Sequence, residues 1–320
     1  MCKGEFVTGT GIRILGAGAH IPPFAFANAD FPESLGTSDE WIVSRTGIKV
    51  RHYAKDALNH TMGAAAAKVA LGNANIKAED IDLIIASTST PDYFHPSLAC
   101  LIQREIGAKC GAFDVSAACA GFIYALDTAR SFLCTGKYKT ILVAASEKLS
   151  NQTDYTDRNT CVLFGDGAGA VIIQASDGLY ESYLGAQGDD ITNAFIQCPV
   201  NYDNKTKPYI TMDGRGVYKF AADIMPYSVN EALKLANKTA DDVTLLIPHQ
   251  ANIRIIEKAA EKIGIPMERV FVNVGKYGNI SSACIPVALS ESIGGFKRGD
   301  IIALTGFGAG LSYGAIVFEV

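Results

Sequence analysis

The sequence has no long apolar segment. None of its hydrophobic runs approaches the roughly 18 residues that a membrane-spanning helix needs. The first residues, MCKGEFVTGTG, lack the apolar core of a signal peptide. These absences predict a cytoplasmic protein that is not bound to a membrane.

Metal-binding motifs are also absent. The eight cysteines contain no CxxC pair, and the five histidines form no HExxH or zinc-finger spacing. We therefore predict no metal site. Most of the cysteines lie in apolar runs, where a reduced and buried thiol is the ordinary state. A cysteine with a chemical role would need polar partners.

Basic residues are fewer than acidic ones. The 28 Lys and Arg residues against 33 Asp and Glu residues give a formal net charge of -5, which argues against general nucleic-acid binding but not against a local basic patch. The hydrophobic fraction of 48% and the charged fraction of 19% are typical of a folded α/β enzyme. A length of 320 residues favours about two domains.

The chain contains an internal duplication. Three pairs of segments match in type and order: AEDIDLIIAST (78–88) with ADDVTLLIPHQ (240–250), FDV (113–115) with VNV (272–274), and KYKTILVAAS (137–146) with KRGDIIALTG (297–306). Each pair is separated by about 160 residues, which indicates two copies of one α/β unit. A later glycine motif has a shorter offset, which we attribute to an insert around 177–217 in the first copy.

The strand segments are short and apolar on both faces, so helices should cover both sides of each sheet. Helical patterns lie between the strands, at 61–73, 119–136, 220–237, 251–264 and 283–294. We predict two packed sheets with helices between and outside them. The first half is expected to span residues 1–175 and the second half residues 176–320.

Cys119 lies where a predicted strand gives way to a helix, in DVSAACAGF (114–122). A helix N-terminus carries partial positive charge and can lower the pKa of a cysteine. Small neighbouring residues would let a substrate reach the sulfur. The alternative is a buried, unreactive thiol, because free cysteine is among the most buried residue types.

The second half supplies two polar residues at matching positions. His249 follows a predicted strand in LLIPHQAN, and Asn279 follows VNV in GNISSA. Because reactive side chains collect at strand ends in open α/β sheets, we expect both residues to approach Cys119. A satisfied core histidine and an ordinary turn asparagine are the alternatives.

A set of cysteine, histidine and asparagine has two chemical interpretations. In a papain-like site, the histidine activates the cysteine and the asparagine orients the histidine. In the other, two hydrogen-bond donors stabilise an enolate while the cysteine holds an acyl group as a thioester. We favour the second interpretation, which suits carbon–carbon bond formation, because His249 and Asn279 follow strands of the same half.

Six motifs together resemble beta-ketoacyl-acyl-carrier-protein synthase III, the initiating condensing enzymes of the thiolase superfamily. They occur in family order from about Ile12 onwards: TSDEWIVSRTGI (37–48), DVSAACAGF (114–122), FGDGAGAV (164–171), PHQANIRII (248–256), GNISSA (278–283) and GFGAGLSYG (306–314). The resemblance implies a thiolase-like duplicated α/β unit in five αβαβα layers. About nine residues precede the usual start of the family, as an extension of unassigned role.

The resemblance also implies a reaction. An acyl-CoA primer and malonyl-acyl carrier protein would undergo decarboxylating condensation to 3-oxoacyl-acyl carrier protein, through an acyl-enzyme in a ping-pong mechanism. This step initiates type II fatty-acid biosynthesis and needs no cofactor beyond the coenzyme A thioester substrate. Cys119 would be the nucleophile, and His249 and Asn279 would promote decarboxylation. The backbone N–H groups of Cys119 and Ala309 would form the oxyanion hole.

Trp41 and Arg45 lie at i and i+4 on one face of a predicted helix, next to the acidic first turn that Thr37 or Ser38 caps. By resemblance, the adenine of coenzyme A stacks between Trp41 and Arg158, and Asn252 also contacts coenzyme A. The alternative is an ordinary core tryptophan with an arginine extending to solvent.

A basic stripe could receive the acidic carrier protein. By resemblance it consists of Lys219, Arg254, Lys258 and Lys262. Glu257 and Glu261 can neutralise it at i,i+3, which would make it a solvated face instead. The loop 90–97 would cross the interface of a homodimer, where His95 replaces a commonly apolar residue and leaves primer size open.

Other functions fit less well. A degradative thiolase would need a second cysteine in GFGAG, and an elongating synthase would have a histidine in place of Asn279. An inactive condensing-enzyme partner would lack Cys119. A condensing enzyme of secondary metabolism, of polyketide or quinolone type and using malonyl-CoA or malonyl carrier protein, remains the main alternative.

Overall fold

The computed structural model describes residues 11–188, 195–199 and 208–320. The N-terminal extension and part of the expected insert lie outside the described residues. Within these ranges, no helix is both long enough and apolar enough to cross a membrane.

Thirteen strands and eight α-helices occur in the described part of the chain. The strands are β1 Gly11–His20, β2 Phe24–Ala27, β3 Val50–Tyr53, β4 Leu83–Ser87, β5 Gly111–Val115, β6 Thr140–Lys148, β7 Asp166–Ser176, β8 Tyr180–Ala186, β9 Ile196–Gln197, β10 Thr211–Met212, β11 Val243–Pro248, β12 Ile301–Gly308 and β13 Ser312–Glu319. The helices are α1 Asp39–Thr46, α2 Asn59–Ala74, α3 Leu98–Ile106, α4 Gly121–Leu133, α5 Gly214–Leu235, α6 Ile253–Ile263, α7 Val274–Tyr277 and α8 Cys284–Ser292.

The two large sheets repeat one topology. The first has the order β1-β7-β6-β4-β5 and the second the order β8-β13-β12-β11. In each sheet the first three strands pair antiparallel and the next pairing, β6 with β4 or β12 with β11, is parallel. The predicted duplication of one α/β unit is therefore present. The chain passes from one sheet to the other between Ser176 and Tyr180, although the division of the chain at 175/176 stays a prediction.

One predicted strand is wrong. VNV (272–274) was expected to match β5, but Val272 and Asn273 lie outside any strand and Val274 begins α7. The Gln250 side chain accepts hydrogen bonds from the backbone N–H groups of Asn273 and Val274, at 2.9 and 3.1 Å. These groups are thus satisfied without a neighbouring strand. The second sheet keeps four strands, and Val270 forms a single bridge to Leu246.

Alternating strand residues bury both faces of each sheet. On the inner faces, Ile85 and Ile247 pack in one core with α4 and α8, which lie between the sheets. On the outer faces, Ile84 packs with α2 and α3, and Leu246 packs in a core that includes residues of α5 and α6. Each fully buried side chain of this size contributes roughly 1.5–3 kcal/mol. The five αβαβα layers are confirmed.

Two short 3-10 turns connect the halves. One, at Ala118–Ala120, precedes α4 and packs against β12, and the other, at Ser281–Ala283, precedes α8 and packs against β6. A Cβ atom on Gly308 would lie 2.6 Å from the backbone nitrogen of Cys119. Each half therefore places the turn before its central helix against a strand end of the other half.

We predict that Gly308→Ala destabilises the protein by roughly 1–3 kcal/mol, because its methyl group meets backbone that cannot yield cheaply. Gly72→Ala is the matched control: Gly72 lies inside α2 with nothing within 4 Å of an added Cβ, so it should gain roughly 0.5–1 kcal/mol. Urea unfolding measures both changes. Equal effects in the two variants would contradict the close approach of the turn to β12.

Candidate active site

The three predicted reactive residues line one pocket. Cys119, His249 and Asn279 border a cavity of about 460 Å³. Part of its wall belongs to a small apolar cluster that contains Leu149 and Phe164. Cys119 lies 130 positions before His249 and 160 positions before Asn279 in the sequence, so the pocket forms only where the two halves of the chain meet.

Cys119 lies in the 3-10 turn, not in α4, which begins at Gly121. Burial raises the pKa of its thiol to about 12, with a hydrogen bond from Ser281 opposing the rise and the Glu147 carboxylate adding to it. The expected lowering of the pKa by a helix N-terminus is therefore wrong for the free protein. Desolvation of the sulfur is the largest cause of this shift.

His249 directly follows β11, as predicted. Its backbone N–H donates to the Thr305 carbonyl of β12 at 2.7 Å, and its ring packs edge-on against Phe307. Burial lowers its pKa to about 4, so the imidazole is neutral at neutral pH. Its Nδ1 has no hydrogen-bond partner in the described part of the chain. A neutral imidazole offers one N–H donor to a ligand in the pocket.

Asn279 follows the short helix α7 instead of a strand. Its backbone pairs with the segment before β7, donating to Leu163 O at 2.9 Å and accepting from Gly165 N at 3.0 Å. Its side-chain Oδ1 accepts from the backbone N–H of Ser281 at 2.9 Å. Because the oxygen is engaged in this way, the side-chain NH₂ is the group that can donate into the pocket.

The glycine loop after β12 completes this wall. Ala309 lines the pocket. The hydroxyl of Ser312 donates to Ala117 O at 2.7 Å, and Ala309 O lies 3.1 Å from the same hydroxyl oxygen. Ser312 thus connects the loop to the Cys119 turn. Gly310 has φ of 130°, a conformation that suits glycine. The loop that contains Ala309 therefore lies against the turn that contains Cys119.

Three of the candidate coenzyme A residues lie together at α1, which contains Trp41 and Arg45 and which Arg158 contacts. The Arg45 and Arg158 guanidinium groups lie 4.7 and 5.1 Å from the centre of the Trp41 ring. Ser38 caps the helix by accepting from Trp41 N, as predicted. Since Arg158 covers Trp41 itself, an adenine between them would have to displace that guanidinium. Asn252 lines the pocket and caps α6.

The candidate docking stripe is partly neutralised. Lys258 pairs with Glu261 at 2.7 Å, and Lys262 pairs with Asp223 of α5 at 2.5 Å. Arg254 and Lys219 are exposed, and neither forms an ion pair within residues 11–188, 195–199 and 208–320. The predicted neutralisation of Lys258 is present, whereas the pairing of Lys262 with α5 was not foreseen.

Sequence reasoning missed a buried acid beside the pocket. Glu147 is the second-last residue of the strand TILVAASEK and is fully buried. The only signal was an acidic residue at the end of a run whose other members are mostly apolar. Among the described residues, no group of three His, Cys, Asp or Glu side chains could hold a metal ion.

The duplicated five-layered fold, with a cysteine, a histidine and an asparagine in one pocket, defines a condensing enzyme of the thiolase fold. Two family models match the chain: 3-Oxoacyl-[acyl-carrier-protein (ACP)] synthase III over residues 113–188 and the 3-Oxoacyl-[acyl-carrier-protein (ACP)] synthase III C terminal over residues 233–320. The chain therefore belongs to the 3-oxoacyl-[acyl-carrier-protein] synthase III family.

Individual relatives agree over nearly the full length. The chain is 45% identical over 323 residues to the Beta-ketoacyl-[acyl-carrier-protein] synthase III of Clostridium acetobutylicum, covering 96% of this chain and 98% of the relative. A crystal structure of the Aquifex aeolicus 3-oxoacyl-[acyl-carrier-protein] synthase III matches with a TM-score of 0.91 at 46% identity, over 98% and 100% of the two chains. The priming beta-ketosynthase of the R1128 polyketide pathway matches with a TM-score of 0.89 at 34% identity, over 97% and 96%.

We predict that His249 makes the fold sensitive to acid. Its pKa is about 4 in the folded protein against 6.5 for an exposed histidine, so the unfolded chain binds the extra proton and stability falls as pH drops through this window. Relative to His249→Gln, the wild type should lose about 2 kcal/mol of unfolding free energy from about pH 7 to about pH 5. Parallel stability curves in urea titrations would show that His249 is not buried in its neutral form.

Proposed function

We propose that this chain catalyses the decarboxylating condensation of an acyl-CoA primer with malonyl-acyl carrier protein, which initiates type II fatty-acid biosynthesis. The observation that carries the proposal is the convergence of Cys119, His249 and Asn279 on one pocket. Family membership at 45% identity over nearly the whole chain supports the same reaction. Turnover measured across acyl-CoA primers, with malonyl-acyl carrier protein and malonyl-CoA as donors, tests it.

In the first half-reaction, the Cys119 sulfur attacks the thioester carbon of the primer. A carbon–sulfur bond to Cys119 forms, the bond to coenzyme A breaks, and coenzyme A leaves with the thiol proton. The negative charge on the carbonyl oxygen would be stabilised by the N–H groups of Cys119 and Ala309. The close packing of their two loops through Ser312 supports this assignment.

In the second half-reaction, the malonyl thioester loses CO₂ and becomes an enolate. Two neutral donors, a ring N–H of His249 and the NH₂ of Asn279, would stabilise the enolate oxygen. The enolate carbon then attacks the acyl group on Cys119, the carbon–sulfur bond breaks, and Cys119 leaves as a thiolate that takes up one proton from solvent to restore the thiol. A histidine whose pKa is about 4 suits this role because it donates at neutral pH without carrying charge.

The partners follow from the surface around the pocket. Coenzyme A would bind with Trp41, Arg45, Arg158 and Asn252, and the acidic carrier protein would meet Lys219 and Arg254 first, since Lys258 and Lys262 already have acidic partners. A homodimer is proposed through the loop 90–97, where the side chains of Tyr93 and Phe94 are 50% and 73% exposed. A cytoplasmic location stays a prediction.

A condensing enzyme of secondary metabolism is the second candidate. The 34% identity to a polyketide priming ketosynthase supports it. That identity is lower than the 45% found for the Clostridium acetobutylicum synthase, so the fatty-acid reaction remains our proposal. An inactive partner protein is disfavoured because Cys119, His249 and Asn279 all border the pocket.

We predict that the two half-reactions separate by mutation. Asn279→Ala and His249→Ala should still accept an acyl group on Cys119, whereas each should lose condensation by roughly 10²–10³-fold, since each removes one enolate donor. Mass spectrometry measures the acylation of Cys119, and the yield of radiolabelled 3-oxoacyl product measures condensation. Cys119→Ser should lose acylation, and Cys110→Ser should keep it. Wild-type condensation by Asn279→Ala would exclude its role at the enolate.

We predict that Arg254→Glu raises the KM for malonyl-acyl carrier protein and leaves acylation of Cys119 by acyl-CoA nearly unchanged. Attraction between exposed charges weakens as salt is added. The difference in KM between Arg254→Glu and the wild type should therefore be smaller at about 1 M salt than at about 0.1 M. Glu261→Lys should lower the same KM, because it releases Lys258 from its ion pair. If neither variant changed this KM, the carrier protein would dock on another face.

A further inference from the structure

Glu147 is a buried acid without a cationic partner. It lies at the end of β6 with no exposed surface, and it forms no ion pair with any residue that the structure describes. The neighbouring Lys148 directs its Nζ away, to the carbonyl oxygens of Lys55 and Ala57. Burial raises the pKa of Glu147. A buried, unpaired acid is costly, and such groups concentrate at functional sites.

The hydrogen bonds of Glu147 suit a carboxylate that can take up one proton. Its Oε2 accepts from Ser89 N and Thr90 Oγ1, both at 2.9 Å. Thr90 Oγ1 itself accepts from Lys148 N, so its own proton is directed at Glu147. Oε1 accepts from the hydroxyl of Ser282 at 2.6 Å. A hydroxyl can turn from donor to acceptor, so Oε1 is the oxygen that can be protonated.

Ser281 lies between Glu147 and the nucleophile. Its hydroxyl donates to the Cys119 sulfur at 3.2 Å, and its side chain lies near enough to the Glu147 carboxylate to oppose the rise of that group's pKa. Ser281 is only 2% exposed and borders the pocket. A hydroxyl in this position can accept a proton from the thiol while it donates its own to the carboxylate.

The balance of charge favours this path. A thiolate formed beside an ionised Glu147 would place two negative charges in one buried site, which costs more than either alone. The other titratable groups facing Cys119 give no compensation: Cys284 has a raised pKa, and His249 is neutral. If the thiol proton moves to Glu147 instead, the site carries one negative charge before and after the transfer.

We propose that Ser281 is a further catalytic residue, which passes the proton of Cys119 to Glu147 during acyl transfer. The S–H proton moves to Ser281 Oγ as the Ser281 O–H proton moves to Glu147, and the sulfur then attacks the thioester. When the bond to coenzyme A breaks, Glu147 returns the proton through Ser281 to the leaving thiolate. The inference rests on Cys119 being the nucleophile proposed above.

The test is the pH profile of Cys119 alkylation by iodoacetamide, followed by peptide mass spectrometry. In the wild type, the rate should become independent of pH once Glu147 is ionised, because the proton moves within the pair. In Glu147→Gln, the thiol must lose its proton to solvent, so the rate should rise about tenfold per pH unit. At neutral pH, the alkylation rate of Glu147→Gln should be lower than that of the wild type by roughly 10²-fold.

Ser281→Ala should reproduce the profile of Glu147→Gln, and the double variant should be no slower than either single variant. Asp166→Asn is the matched control, since Asp166 is equally buried and also has a raised pKa but bonds to Ala54 and Ser150 instead. It should keep the wild-type profile. Circular dichroism and thermal unfolding verify that each variant is folded.

Faster alkylation of Glu147→Gln at every pH would overturn the proposal, because it would mean that the carboxylate only repels the thiolate. An unchanged profile in Ser281→Ala would overturn it as well. If the profiles behave as expected but acyl-CoA does not acylate wild-type Cys119, the proposed function fails and the proton path stands.

Discussion

The site depends on the mutual packing of two turns. Each half of the chain places the turn before its central helix against a strand end of the other half, so neither half forms the pocket alone. At Gly308 there is no room even for a Cβ atom beside Cys119 N, and on the other side Ser282 bonds directly to Glu147. The position of the nucleophile is therefore set by contacts that exist only when both sheets are folded.

Burial also determines the charge of the resting site. Desolvation raises the pKa of Cys119 and lowers that of His249, so both side chains are neutral in the free protein. These two side chains therefore present no charge to an entering thioester. Because the thiol is neutral, it must give up its proton to a nearby acceptor before it can react. Glu147 is the buried acid that acts on Cys119.

The sequence was informative where a residue reports directly on a motif or on periodicity. The duplication, the layers and the approach of His249 to Cys119 could be predicted from matching segments and strand ends. Asn279 was correctly expected in the same pocket, but from a strand that the structure does not contain. The absence of a strand at 272–274 could not be predicted. There the Gln250 side chain, a tertiary contact, takes the backbone hydrogen bonds that a neighbouring strand would otherwise take. The direction in which the pKa of Cys119 shifts depends on how deeply the sulfur is buried. The role of Glu147 depends on Ser281 and Ser282, which only folding brings near it.

The repeated topology creates two equivalent positions with different tasks. Cys119 and Ser282 occupy the same place in their two turns, the second residue of each. A fully symmetric chain would have two equal nucleophile positions, one in each turn. In this chain one position opens to the pocket and carries sulfur, while the other carries a hydroxyl that is sealed against Glu147. The second position thus supports the first instead of duplicating its chemistry, and the two-fold scaffold holds a single reaction centre.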